Sequence, residues 1–230
     1  CFGINALSYL AVLASLALIR LPKLEVAPRG RSMHALGEAL TFVRTHRLTW
    51  VLMRVVAVYS LLGIPVLTLL PVLARDVLGL GAGGYGLLMT CVGVGAMLGA
   101  LGVASAGPRL PKHGALTISS LAFPALVVLA SASRSVAVTG VLLFLVGGCM
   151  VIQSAVINAM LQVSSPDALR GRVISVYVAV FIGTSPIGSF VSGAIARTWG
   201  VSWAIGGMAA LMGVFGLWAF RRYPELRVAS

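Results

Sequence analysis

GGYGLLMTCVGVGAMLGALG, residues 83–102, sets seven glycines among leucines, methionines and alanines without a single charge. Two readings compete for it: a glycine-rich loop that cradles a phosphate, or a helix in surroundings where glycine is tolerated. A dinucleotide fingerprint needs G-x-G-x-x-G between a strand and a helix, with an acid about 20 residues further on. Gly93, Gly95 and Gly99 instead read G-x-G-x-x-x-G inside an apolar run, and no acid follows at that distance. Gly95 and Gly99 form a small-xxx-small pair beside a parallel row of Ala96, Ala100 and Ala104, a pattern that lets helix backbones approach closely in lipid. The stretch is therefore expected to be a helix packing face within a membrane, and Ser189 with Gly193 is expected to form another.

Composition places the rest of the chain in the same solvent. Of 230 residues 59% are apolar and only 10% charged, with a mean hydropathy of +1.04, whereas roughly a quarter of a soluble domain is charged. An apolar run of about 18 or more residues crosses a roughly 30 Å hydrocarbon layer as a helix. Such runs recur at 1–19, 55–74, 77–108, 114–133, 135–166, 173–196 and 198–220. The expected fold is all-α: a polytopic membrane bundle of seven transmembrane helices.

A net charge of +12 would suit a nucleic-acid binder, but the basic residues are distributed as a topology signal. Arg20, Lys23, Arg29, Arg31, Arg44, Arg47, Arg109, Lys112, Arg170, Arg172, Arg221, Arg222 and Arg227 all fall on one set of alternate loops. Arg75, Arg134 and Arg197 alone fall on the other. Basic loops stay in the cytoplasm, so the C-terminus is expected there, the protein is expected in the inner (plasma) membrane, and no nucleic-acid partner is expected.

Between the first two spans, residues 20–47 make a long polar segment with Pro22 and Pro28 at its start. Met33, Leu36, Leu40 and Val43 then recur at helical steps, opposite His34, Glu38, Thr41 and Thr45. An amphipathic helix from Ser32 is expected to lie on the membrane surface. Pro65, Pro71, Pro124 and Pro186 fall inside spans and predict bent helices whose freed carbonyls neighbouring helices satisfy. Cys1, Cys91 and Cys149 have neither disulfide nor metal spacing. The chain opens on Cys rather than Met, without a signal-peptide pattern, and is expected to begin within something larger.

Chemistry within the membrane would need ionisable groups converging at one depth. Glu25, Glu38, Asp76, Asp167 and Glu225 all lie in loops or the tail; His34, His46 and His113 lie on cytoplasmic loops and are expected to be solvated. Neither an enzyme, a metal site nor a cofactor is expected. Arg54 is the one charge inside a span, and two readings stand for it: a substrate or gating contact, or a side chain that snorkels to the headgroups. Gln153 faces a ligand or a helix neighbour with equal warrant. Tyr59, Ser60, Thr90, Asn158 and Tyr177 are the other polar handles.

One helix, a basic cytoplasmic linker and six more helices ending inside resemble helices six to twelve of a twelve-helix transporter of the major facilitator superfamily. GLGAGGYGLLMTCVGVGAMLGALG is similar to the eighth helix, and SSPDALRGRVISVYVAVFIGTSPIGSFVSGAIARTWG to the loop and eleventh helix, of its enterobactin and macrolide exporter branch. The most specific element is the loop pattern of Pro166, Asp167, Leu169, Arg170, Gly171, Arg172, Val173 and Ser175.

That resemblance implies residues 1–19 as the last helix of a missing N-terminal half, 20–47 as linker, 48–220 as the C-terminal six-helix bundle and 221–230 as a cytoplasmic tail. It implies an antiporter that exports a small amphipathic molecule or siderophore by alternating access, with protons as the coupling ion and the coupling acid in the missing half. The cavity is implied to be lined chiefly by the second and fifth spans, helped by the third and sixth, with Arg54, Tyr59, Gln153 and Tyr177 as its candidate residues. The alternative is an integral membrane protein that packs or assembles without transporting, or a degenerate transporter remnant.

Overall fold

Nothing in a hydrocarbon layer can satisfy a free peptide group, so an apolar run that enters it closes its backbone bonds within one helix. The computed structural model describes residues 9, 10, 13–15, 18 and 32–226. The rest of the expected first span and of the linker up to residue 31 lies outside the described residues. The chain divides into two units, Cys1–Ala35 and Leu36–Ser230, and the second holds the helical bundle.

The helices are α1 (Ser32–Thr45), α2 (Arg47–Gly63), α3 (Pro65–Asp76), α4 (Ala82–Ala106), α5 (Lys112–Ala132), α6 (Val136–Ser164), α7 (Asp167–Trp199) and α8 (Val201–Arg222). With α2 and α3 counted as one span, six candidate spans are present among the described residues. The interruption falls at Ile64, after which Pro65 opens the second segment, while Pro71, Pro124 and Pro186 sit inside continuous helices.

Two spans, α2–α3 and α7, outrun at both ends the apolar stretches that announce them. The second span begins at Arg47 rather than 55, because His46 caps it: the imidazole Nδ1 accepts from the Thr49 amide at 3.4 Å and lies 2.9 Å from Thr49 Oγ1. The stretch between the 135–166 and 173–196 runs is largely helical, leaving Ser165 and Pro166 as the connection, and Gly200 alone joins α7 to α8. Gly200 has φ +90°, a conformation that residues with a Cβ rarely adopt. A helix meets its own backbone needs in headgroups and water too, so nothing obliges it to stop where the hydrocarbon does.

Lipid tails are as apolar as leucine, so these helices associate through close packing rather than through burial from water. The most extensive pairing is α4 with α6, and glycines on both helices permit it. A Cβ at Gly95 would fall on the Phe144 carbonyl oxygen, and one at Gly99 would come 2.8 Å from that of Gly148. In return, a Cβ at Gly147 would fall on the Val92 carbonyl. The second expected pair divides: Ser189 Oγ lies 3.3 Å from Thr68 Oγ1, but Gly193 has nothing within 4 Å of where its Cβ would stand. The packing glycine of α7 is Gly188, whose Cβ would meet the Leu61 carbonyl and Pro65.

α1 forms over the expected range, but its inward stripe is rotated. Ala39 and Val43 are buried whereas Leu40 is exposed, so the seam runs along the 39/43 row. Past α8, Pro224–Leu226 forms a 3₁₀ turn that buries Leu226, so the start of the tail is folded against the bundle.

Candidate functional site

Helix geometry brings three of the four expected cavity residues to one depth. At 1.5 Å per residue, Tyr59, Gln153 and Tyr177 lie about 15–18 Å along α2, α6 and α7 from the helix ends that carry Arg47, Ser164 and Asp167. They line a cavity of about 80 Å³ together with Phe123, Met150 and Phe181. Its walls come from α2, α5, α6 and α7. The third expected span, α4, contributes no lining residue, and the fourth supplies Phe123, because the glycine seam presses α4 against the far side of α6.

A proline organises the polar part of this cavity. Pro124 has no amide hydrogen, so the Ser120 carbonyl one turn earlier in α5 loses its helical donor. The Tyr59 hydroxyl donates to that carbonyl from α2, and Gly216 on α8 leaves room for it, since a Cβ there would stand 2.8 Å from the hydroxyl. Gln153 Nε2 donates to Ser120 Oγ at 2.9 Å. Of the two readings open for Gln153, its amide nitrogen is engaged by a helix neighbour. Ser60 donates from α2 to the Phe181 carbonyl, which ties α7 to the same cluster. Tyr177 stacks on Phe181 with ring centroids 6.3 Å apart, and its hydroxyl has no hydrogen bond among the described residues. Ser120 is the centre of this network and has no role in the expectations drawn from sequence; its only sequence signal is a hydroxyl four residues before an intrahelical proline.

Arg54 lies elsewhere. Five residues from Tyr59 is about 140° around a helix, which turns Arg54 outward while Val55, Val56 and Tyr59 are buried. Its guanidinium stands 4.9 Å from the Trp50 ring centroid, and Nη1 donates to the Tyr223 hydroxyl at 3.1 Å.

The loop pattern works as a bracket between helix ends. The Pro166 carbonyl accepts from the amides of Leu169 and Arg170 at 2.9 Å each, which starts α7. Asp167 pairs with Arg170 at 2.6 Å, and Arg170 Nε donates to the Gln162 carbonyl at 2.9 Å near the end of α6. Arg172 reaches Glu38 on α1 at 3.1 Å. The Gly171 carbonyl accepts from Ser175 Oγ at 3.0 Å, and a Cβ at Gly171 would stand in open space.

At the same end, a recess of about 610 Å³ is bounded by Arg47, Lys112, His113 and Glu225. Arg47 pairs with Glu225 at 2.9 Å. His46 and His113 depart from the expected solvated state: His46 caps α2 and stacks on Phe42 at 5.1 Å, and His113 Nδ1 is buried without a partner. No group of three or more metal-ligating side chains occurs among the described residues.

A family model described as transmembrane secretion effector matches residues 1–227. No curated protein and no solved structure matches the chain.

Proposed function

The chain belongs to the transmembrane secretion effector family of the major facilitator superfamily, and from that premise we propose that it forms helices six to twelve of an efflux carrier of the enterobactin and macrolide exporter branch. In this reading the missing six-helix half lies against it, and a small amphipathic molecule of drug or siderophore type leaves by alternating access between the halves. Protons entering through a carboxyl group of the other half drive export, since among the described residues Glu38 and Glu225 lie outside the candidate spans and Asp76 and Asp167 are the end residues of theirs. The protein sits in the inner membrane with its C-terminus in the cytoplasm, as the loop charges favour.

The cavity lined by Tyr59, Gln153 and Tyr177 carries the reading, which puts it near the midplane. It combines aromatic and apolar walls with a few convergent polar groups, the usual make-up of a small-molecule site, at the depth where carriers of this design bind substrate. At about 80 Å³ it holds only a few heavy atoms, so it acts as one subsite, completed by the opposite half. α4 and α7 support this, because only 22% of the most apolar stretch of each is buried, leaving apolar faces for another helical block to cover.

The test is accumulation of a panel of dyes and siderophores in cells with and without the complete gene. At least one compound should accumulate less when the gene is present, and a protonophore should abolish the difference. Tyr177→Ala should weaken half-saturation for that compound roughly tenfold, equivalent to about 1.4 kcal/mol. Identical accumulation of every compound in both strains would count against the proposal.

A further inference from the structure

Each acid in the described residues faces an arginine: Glu38 with Arg172, Asp76 with Arg75, Asp167 with Arg170 and Glu225 with Arg47, all within 3.1 Å. Arg54, Arg221 and Arg222 have no carboxylate partner among the described residues, and all three are exposed. Tyr223 links Arg54 and Arg222 on the outside of the bundle, and Arg221 borders the same groove as Arg222. Tyr223 accepts from Arg54 and lies 5.8 Å beneath the Arg222 guanidinium, and Trp218 meets Tyr223 edge-on at 5.7 Å.

Below the cluster, α8 presents Val214, Leu217, Trp218 and Arg221 at steps of three and four, a single stripe that runs from hydrocarbon to charge. Val214, Leu217 and Trp218 border an outward-facing groove of about 500 Å³ with Arg221 and Arg222 at its head. The groove is apolar along its length and cationic at one end. Arg54 meanwhile lies about 10 Å into its span, counted from Arg47, on a surface where an unneutralised cation is costly.

We propose that this groove binds one anionic phospholipid of the adjoining leaflet, its phosphate between Arg221 and Arg222 and one acyl chain along Val214, Leu217 and Trp218. Charge complementarity selects the occupant. A zwitterionic headgroup brings its own cation to a place that already holds three, and a soluble anion has no use for the apolar stripe. Trp50, Trp218 and Tyr223 are amphipathic rings of the kind that settle at headgroup depth, which sets the phosphate level. Arg54 adds the third charge through Tyr223. The inference rests on the membrane-spanning fold and is independent of what the protein transports.

Retention of phosphatidylglycerol and of phosphatidylcholine by the full chain in detergent, counted by native mass spectrometry over a lipid titration, tests it. One phosphatidylglycerol should be retained well above the phosphatidylcholine level. The double variant Arg221→Gln/Arg222→Gln should weaken that retention on the order of thirtyfold, taking the usual worth of two basic side chains at an anionic surface. Arg170→Gln/Arg172→Gln removes the same charge at the same end of the bundle and should change it less than twofold. Val214→Trp fills the groove at an exposed position, leaves every charge in place, and should also lower retention. Equal losses in the two double variants, equal retention of the two lipids, or unaltered retention in Val214→Trp would each overturn the proposal. Unchanged melting temperatures without added lipid, and recovery in Arg221→Lys/Arg222→Lys, separate loss of binding from loss of folding.

Discussion

Tyr59 has a role that only its partner explains. Its hydroxyl replaces, across two helices, the donor that Pro124 removes from the Ser120 carbonyl. Tyr59→Phe should therefore leave a buried carbonyl without a donor, at a cost of about 1–3 kcal/mol in unfolding free energy. In a Pro124→Ala background the amide restored at position 124 can reach that carbonyl, so the same substitution should cost distinctly less. Chemical unfolding of the four proteins in detergent closes the cycle; equal costs in both backgrounds would show that the hydroxyl matters for another reason. The sequence announced that the freed carbonyl would find a donor but not which one, because pairing Tyr59 with Ser120 depends on how α2 and α5 are rotated against each other. Arg54 shows the opposite limit: its depth along α2 was legible, while its outward direction followed only from which of its neighbours became buried.

At the scale of elements, the α4–α6 seam is the most sensitive contact. Gly95→Ala should destabilise by about 1–3 kcal/mol, the usual cost of overpacking, since the new methyl meets backbone that cannot rotate away. Gly102→Ala, on the same helix with nothing within 4 Å, should be neutral or slightly stabilising. Thermal denaturation in detergent compares them directly, and similar melting temperatures would remove the seam from the account. The α4 side of this seam was legible because a spacing of four is a property of one helix. Its α6 side, Gly147 and Gly148, and the use of Gly188 in place of Gly193 depend on which partner arrives, which no single-helix pattern contains. Element ends were the least legible: α2–α3 and α7 continue past their apolar runs, while α4 and α6 stop within theirs.

For the whole molecule, the arrangement of charges makes a claim about compartments. In a background lacking the native cysteines, thiols at Arg109→Cys and Pro224→Cys should react with an impermeant reagent from the cytoplasmic face, and those at Arg134→Cys and Arg197→Cys from the other. Labelling of both pairs from one face would break the arrangement of the six described spans. That these stretches are spanning helices was readable because lipid leaves the backbone so few options. One junction shapes how the arrangement is made. Gly200 is the one residue between α7 and α8, so two Cα steps of about 3.8 Å each are the whole tether between them. The two are therefore expected to enter the bilayer as one helical hairpin, so that a defect in either should be inherited by both during biosynthesis.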